Sequence, residues 1–268
     1  MTESIVSFVN PPVVEVVAGV TFDGLSAETS ALLSAFWKEE LRSEFPSLQL
    51  QPPYTVPDES PPAGTFTLAL PVGLPTPRLW ALSGDQQELL QLQPGWFACN
   101  WRKVQPADEY DRWISRRSAF QKYFAKLSEY LSREGAGEPK IRQCEVTYIN
   151  HIRPSSSWVS HSDFSRIFNF GLESVDSYPA EQVTLQTQFA LEYEGEFYGR
   201  LYVKILPAFG LDGRAPIYVL ELTARGAPIG DGLNGALTFL DRGRAAIDRA
   251  FLRLTTETMH DEWGLQHD

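Results

Sequence analysis

One order of elements is legible twice along this chain. Residues 13–22 alternate Val14, Val16, Ala18, Val20 and Phe22 with Val13, Glu15, Val17, Gly19 and Thr21, the period of a strand that is mostly apolar on both faces. After Asp23-Gly24, Leu32, Leu33, Phe36, Trp37, Leu41 and Phe45 recur at helical spacing until Pro46, which predicts a helix of about five turns. The prolines between 51 and 62 predict an extended surface loop. Strands are predicted over 65–70, 78–82 with a continuation through 88–92, and 96–103. A long helix follows from about 108 to 133, closed by Gly135 and Gly137. The second half then gives a strand over 141–152 and a short helix over 162–170. Strands over 183–193, 197–206 and 217–224 come next, with a hairpin at Glu194-Gly195, and a second long helix spans about 233–259.

This repetition predicts an internal duplication. Glu15-Val16-Val17 matches Glu145-Val146-Thr147, 130 positions on. The helical row Tyr110, Trp113, Arg117, Phe120, Phe124, Leu127 matches Leu237, Leu240, Arg244, Ile247, Phe251, Leu254, 127 positions on. The predicted fold is therefore α+β. Two related halves, about 8–137 and 138–268, would form one compact unit and share an antiparallel sheet across a pseudo-twofold axis, with both long helices on one face.

Both helical rows are interrupted at the same place by an arginine, and both first strands carry a glutamate among apolar neighbours. A charge in such a row must meet an acceptor or reach water along its stem, because unpaired burial costs several kcal/mol. Either Glu15 and Glu145 form structural charged pairs with Arg117 and Arg244, or the two arginines extend to solvent at the stripe edge.

Charge and composition exclude several classes. Lys and Arg number 23 against 34 Asp and Glu, a formal net charge of −11, which argues against broad nucleic-acid binding. Cys99 and Cys144 fit neither a disulfide framework nor a zinc spacing, so a reducing, cytoplasmic location is expected. No run of about 18 apolar residues predicts a membrane span.

Individual motifs carry little chemistry. Gly230-Asp-Gly232-Leu-Asn-Gly235 satisfies G-x-G-x-x-G before a predicted helix, but no alternating parallel array follows it. A glycine-rich approach to the helix, capped by Asp231 or Asn234, is the favoured reading, with anion binding at the helix start the alternative. His151 and His161 lack a neighbouring ligand at metal spacing, and Glu257, His260, Asp261 and Glu262 read as a solvated, fraying end. No nucleophile elbow, Walker sequence or zincin motif occurs, so no catalytic residue, metal or cofactor is expected. The basic positions Arg112, Arg116, Arg117, Lys122, Lys126 and Arg133 read as a solvated helix face or a dock for an acidic partner. The strands of the second half predict one apolar face and one face of amides, tyrosines and charges. Trp80, Trp96, Trp101, Tyr198 and Tyr202 are the aromatics expected near any pocket.

The opening Asn10-Pro11-Pro12-Val13-Val14-Glu15 and the central Tyr148-Ile149-Asn150-His151-Ile152 resemble a sporadically distributed bacterial protein family of about this length, which shares an N-P-P-x-x-E opening and a Y-I-N-x-I strand. The resemblance implies no reaction or cofactor; patchy occurrence would suit a mobile defence or toxin-neutralising locus. Duplicated modules of this kind also resemble, in element order, the bacterial multidrug effector-binding domains. The leading expectation is a non-enzymatic binding or regulatory protein that acts through a protein partner or self-association. The second is a small-molecule sensor with a groove between the halves, lined by Glu15, Trp101, Glu145, Tyr148, Tyr202 and Glu221. An enzyme ranks third.

Overall fold

The apolar alternation along 13–22 forms the strand it predicts, and most of the chain follows the same logic. The computed structural model describes residues 7–23, 29–55, 59, 76–171, 174–210 and 213–266. Its first elements are β1 (Ser7–Phe8), β2 (Val13–Asp23) and α1 (Thr29–Phe36), which runs on into a π-helical turn (Trp37–Leu41). Then come β3 (Ser47–Gln51), β4 (Arg78–Leu82), β5 (Glu88–Gln93), β6 (Trp96–Arg102), α2 (Arg112–Arg133) and β7 (Lys140–Ile152). A 3-10 turn (His161–Asp163) leads into α3 (Phe164–Ile167), β8 (Ser174–Val175) and β9 (Tyr178–Pro179). The chain continues through β10 (Leu185–Tyr193), β11 (Glu196–Phe209), β12 (Pro216–Gly226), α4 (Gly232–Leu254), α5 (Glu257–Trp263) and β13 (Leu265–Gln266).

The fold is α+β. Nine strands make one large antiparallel sheet in the order β10-β11-β12-β7-β2-β6-β5-β4-β3, while β1 pairs with β13 and β8 with β9. The chain divides into two compact units: Met1–Glu15, Thr147–Ala224 and Arg242–Asp268 form unit 1, and Val16–Val146 with Arg225–Asp241 form unit 2. β2, β7 and α4 each contribute residues to both units.

In unit 2 the predicted stripe of α2 presses onto the sheet. Phe120 and Phe124 meet Phe97 at 5.8 and 5.6 Å, and Phe124 meets Phe22 at 5.9 Å. Burying such rings removes the largest apolar areas a side chain can offer. In unit 1 Tyr218 is enclosed by Phe164, Phe168, Trp158 and His161, and its hydroxyl donates to the His161 carbonyl at 2.7 Å. Phe8 packs against Phe251 and Trp263, holding β1 beside the chain's last helix.

Several predicted bounds move for local reasons. The long helix begins at Arg112, not 108, because the Asp108 carboxylate accepts the Val104 and Gln105 amides and holds them in a turn. The predicted final helix divides at Thr255 and Thr256. Thr255 Oγ1 donates to the Phe251 carbonyl while Thr256 caps α5, accepting from the Met259 amide. The chain end is thus organised rather than frayed as far as Gln266. The short helix over 162–170 contracts to α3, and β3 goes unpredicted. The strand predicted over 65–70 lies outside the described residues.

Candidate functional site

Phe22 and Phe97 show which face of unit 2's strands meets α2, so alternation turns Trp96, Ala98, Asn100 and Arg102 to the other face. Gly19 shares that second face, where a Cβ would stand 3.2 Å from the Ala98 Cβ. Register sets Gln91 opposite Ala98 and Trp80 opposite Gln91, which adds Gln91 and Gln93 of β5 with Arg78 and Trp80 of β4.

A connected polar network covers this side. Gln91 is 6% exposed and Asn100 2%, burial that a side-chain amide tolerates only with partners. Gln91 Nε2 donates to Asn100 Oδ1 at 2.8 Å, which turns Gln91 Oε1 outward to accept from Arg78 Nη1 at 2.8 Å and Trp80 Nε1 at 3.0 Å. Gln93 binds the backbone of Tyr54 twice, accepting from its amide at 2.8 Å and donating to its carbonyl at 2.9 Å. The Tyr54 ring is thereby held 5.1 Å from Trp96. The Arg78 guanidinium lies 5.5 Å from Tyr54, 5.4 Å from Trp80 and 5.8 Å from Trp96. Burial lowers the Arg78 pKa, opposed by the Tyr54 phenol.

Farther along the strands, Arg225 Nε donates to Glu145 Oε2 at 2.7 Å and its Nη2 reaches the same oxygen at 2.6 Å. Its Nη1 lies 3.4 Å from Glu59, whose amide donates to Gln143 Oε1 at 3.0 Å. The side chains of Arg225, Glu145 and Glu59 are each about a tenth exposed. Burial would lower the Arg225 pKa, but the adjoining Glu145 carboxylate outweighs it and the net shift is upward. The Tyr54 phenol acts on this guanidinium as it does on Arg78.

The sequence-predicted residues divide between locations. Glu145 belongs to this site, and its cationic partner is Arg225 rather than Arg117 or Arg244. Arg117 lies on α2, across the sheet from Glu145, and binds Asp241 with Nε at 2.8 Å, while Arg244 pairs within its own helix with Asp248 at 2.8 Å. Trp101 points to the α2 face, 3% exposed and 5.2 Å from Tyr110, so it is core and lines no groove with Glu145. Tyr148 stands three residues from Glu145 on one strand and so faces the opposite way. Glu15, Tyr202 and Glu221 are half-buried residues of unit 1, with Tyr202 opposite Gln188 in the β10–β11 register. Arg225, Arg78, Gln91 and Asn100 were missed as site residues. For Gln91, Asn100 and Arg225 the signal is polar side chains at alternate positions of an otherwise apolar strand, Gln91 with Gln93, Asn100 with Arg102, and Arg225 with Glu221 and Thr223; Arg78 opens an apolar strand and carries no such signal.

Other motifs resolve into structure. Five of the six basic positions of that helix row are engaged within unit 2: Arg116 meets Glu88 and Asp111 at 2.5 and 2.7 Å, Arg117 binds Asp241, Lys122 and Lys126 pair with Glu44, and Arg133 with Glu40 at 3.2 Å. The G-x-G-x-x-G loop folds on itself. Gly230 and Gly232 have φ of +96° and +55°, and a Cβ on Gly235 would stand 2.1 Å from the Gly230 carbonyl oxygen. His161 Nε2 bonds the Ile217 carbonyl oxygen at 3.0 Å, and His260 Nε2 lies 2.8 Å from Thr255 Oγ1. Burial pushes the Cys99 and Cys144 thiols up, away from thiolate chemistry. Among the described residues no three His, Cys, Asp or Glu side chains converge as metal ligands, and no helix is long and apolar enough to cross a membrane. No protein-family model and no curated protein matches the chain.

Proposed function

We propose that this chain is a binding protein and that the second face of unit 2 receives a small molecule. The observation that carries the reading is the set of buried polar side chains on that face, Gln91, Asn100, Gln143, Glu145 and Arg225, beside Tyr54, Trp80 and Trp96. A sheet face built only for packing is more stable with apolar side chains, whereas aromatic walls with a few oriented polar groups suit ligand recognition. Catalysis ranks below binding, because Glu145 is engaged by Arg225 and both thiols are held protonated by burial.

The duplication belongs to the same proposal. β2-β6-β5-β4 and β7-β12-β11-β10 are each the first, fourth, third and second strands of a strand, helix, three strands, helix series. That shared order supports two related modules, with β1, β3, β8, β9, β13 and α5 as additions.

Contact with a protein partner is the second reading. It is favoured by Phe189, Tyr193 and Phe197 of unit 1, which are 49, 48 and 52% exposed along the β10–β11 hairpin. A mobile defence or toxin-neutralising setting would suit that role and rests on the family resemblance.

Native mass spectrometry of the gently purified full chain separates the readings. A retained small mass, with rebinding that quenches tryptophan fluorescence and is lost in Trp80→Phe, supports the ligand face. A stoichiometric second protein supports the partner reading. A bare chain that also shows no thermal shift across a metabolite panel overturns the ligand reading.

A further inference from the structure

Residues 167–199 carry six acidic side chains and no Lys or Arg. Within them 182–191 is uncharged, with Glu181 before it and Glu192, Glu194 and Glu196 after it. That run holds most of β10, which lies at an edge of the large sheet and, among the described residues, pairs only with β11. All four glutamates are exposed, and among the described residues none is in an ion pair.

This edge is preformed. Glu194 and Gly195, with φ of +52° and +82°, make the tight turn into β11, and the Arg242 guanidinium lies 3.7 Å from the Tyr193 ring centroid beside that turn. The ladder to β11 runs from Leu185 opposite Ile205, through Phe189 opposite Leu201, to Tyr193 opposite Glu196. Leu201, Val203 and Ile205 are buried, whereas Phe189 is half exposed, so the apolar layer on that side of the sheet ends only partly covered. A further strand beside β10 would extend both the backbone ladder and this layer.

Charge decides the occupant. Carboxylates stand at both ends of the neutral run, so a strand with cations at its two ends and a neutral, partly apolar middle matches it in either direction. A second copy does not match. Antiparallel pairing about the middle of β10 would set Glu181 of each copy toward Glu192 and Glu194 of the other, like charge against like. We infer that β10 takes up, by strand addition, an extended basic-ended segment of a partner protein, about ten residues long to match the uncharged run. This rests on the partner reading of the β10–β11 hairpin, names the partner's chemistry, and is independent of the ligand face of unit 2.

The probe is a fluorescein-labelled peptide of alternating valine and threonine with two lysines at each end, titrated with the full chain and followed by anisotropy. Saturable binding that weakens with added salt is expected. A peptide ending in glutamates should not bind. Nor should one that keeps its lysines and has prolines through its middle, because it lacks the amides the ladder needs. Glu192→Lys combined with Glu196→Lys should weaken binding by about tenfold. Glu109→Lys with Glu129→Lys makes the same charge change at exposed sites of unit 2 and should leave it unaltered. Phe189→Lys should also weaken binding, with near-ultraviolet circular dichroism showing that the fold is kept; if it is not kept, the paired glutamate variant carries the test alone. Absence of binding would overturn the inference, as would equal binding of the lysine- and glutamate-ended peptides or undiminished binding in the paired glutamate variant. A stable dimer of the folded chain that Phe189→Lys dissociates would overturn it in favour of a second copy. A stoichiometric partner in native mass spectrometry that binds Phe189→Lys and the paired glutamate variant as well as the parent chain would overturn it and leave the partner reading standing.

Discussion

Arg225 and Glu145 illustrate how a buried charge dictates its own surroundings. Each is about a tenth exposed, and two guanidinium nitrogens converge on one carboxylate oxygen at 2.7 and 2.6 Å. Such a pair contributes little relative to two well-packed apolar side chains, yet removing one partner strands the other charge in a poorly solvated place. Arg225→Met is therefore expected to destabilise the chain by about 3–5 kcal/mol in urea denaturation, and Glu145→Leu by a similar amount. The double variant should recover most of that loss, and a double loss equal to the two single losses added would show that the pair is not coupled. That Glu145 needs a cation is legible in the sequence, because it interrupts an apolar strand. Which cation is not legible: it depends on β12 lying beside β7, and Arg225 falls one residue beyond the strand end that apolar alternation predicts. Arg117, the partner expected from the matched helical rows, lies across the sheet and takes Asp241.

Element boundaries turn on single backbone groups. Gly230 and Gly235 touch so closely that a methyl on Gly235 would overlap the Gly230 carbonyl, and the Ile229 amide donates to the Gly235 carbonyl at 3.0 Å. The glycine spacing that resembles a dinucleotide fingerprint thus serves the tight approach to α4. Gly235→Ala should cost about 1–3 kcal/mol by forcing that loop open, seen as a lower Tm with a two-state transition retained. The start of the long helix was hidden because Asp108 binds amides N-terminal to it, a side-chain contact that apolar periodicity does not record. α5 contributes a pH dependence. His260 is held below the ordinary histidine value of 6.5 by burial, opposed by Asp261 and Glu257, with Thr255, Phe8 and Trp263 against its ring. The unfolded chain therefore takes up this proton first. The contribution to stability is complete above pH 6.5 and is lost as pH falls through the lower folded value. His151, lowered by burial and Arg153, adds in the same sense. His260→Gln should show a shallower decline in stability from pH 7 to about 5 than the parent chain, compared as slopes so that the lost Thr255 contact does not confuse the result. An unchanged slope would remove His260 as a contributor.

At the scale of the whole chain, alternation and helical stripes identify most strands and both long helices, because each element must bury one face. Sheet order is less accessible: β6 lies beside β2 and β12 beside β7, pairings of first and last strands that depend on long-range register. Order also decides which strands lie at the two edges of the large sheet among the described residues, and these are β3 and β10. β3 has five residues, whereas β10 has nine, and Leu185 to Leu191 contains no charge and no proline. Natural edges are usually protected by such residues, because a row of free amides and carbonyls templates another strand. Phe189, 49% exposed on this edge, adds apolar surface to the same template. Concentration-dependent association on warming is therefore expected to begin at β10. Phe189→Lys should suppress it, seen as a higher onset temperature of light scattering, while folding stability changes by no more than about 1 kcal/mol because the side chain is already half in water. The matching change on the short edge, Leu50→Lys at a position 69% exposed, should shift the onset much less. Equal effects at both edges would show that removing any exposed apolar side chain suffices, and that the length and neutrality of β10 are not what drives association.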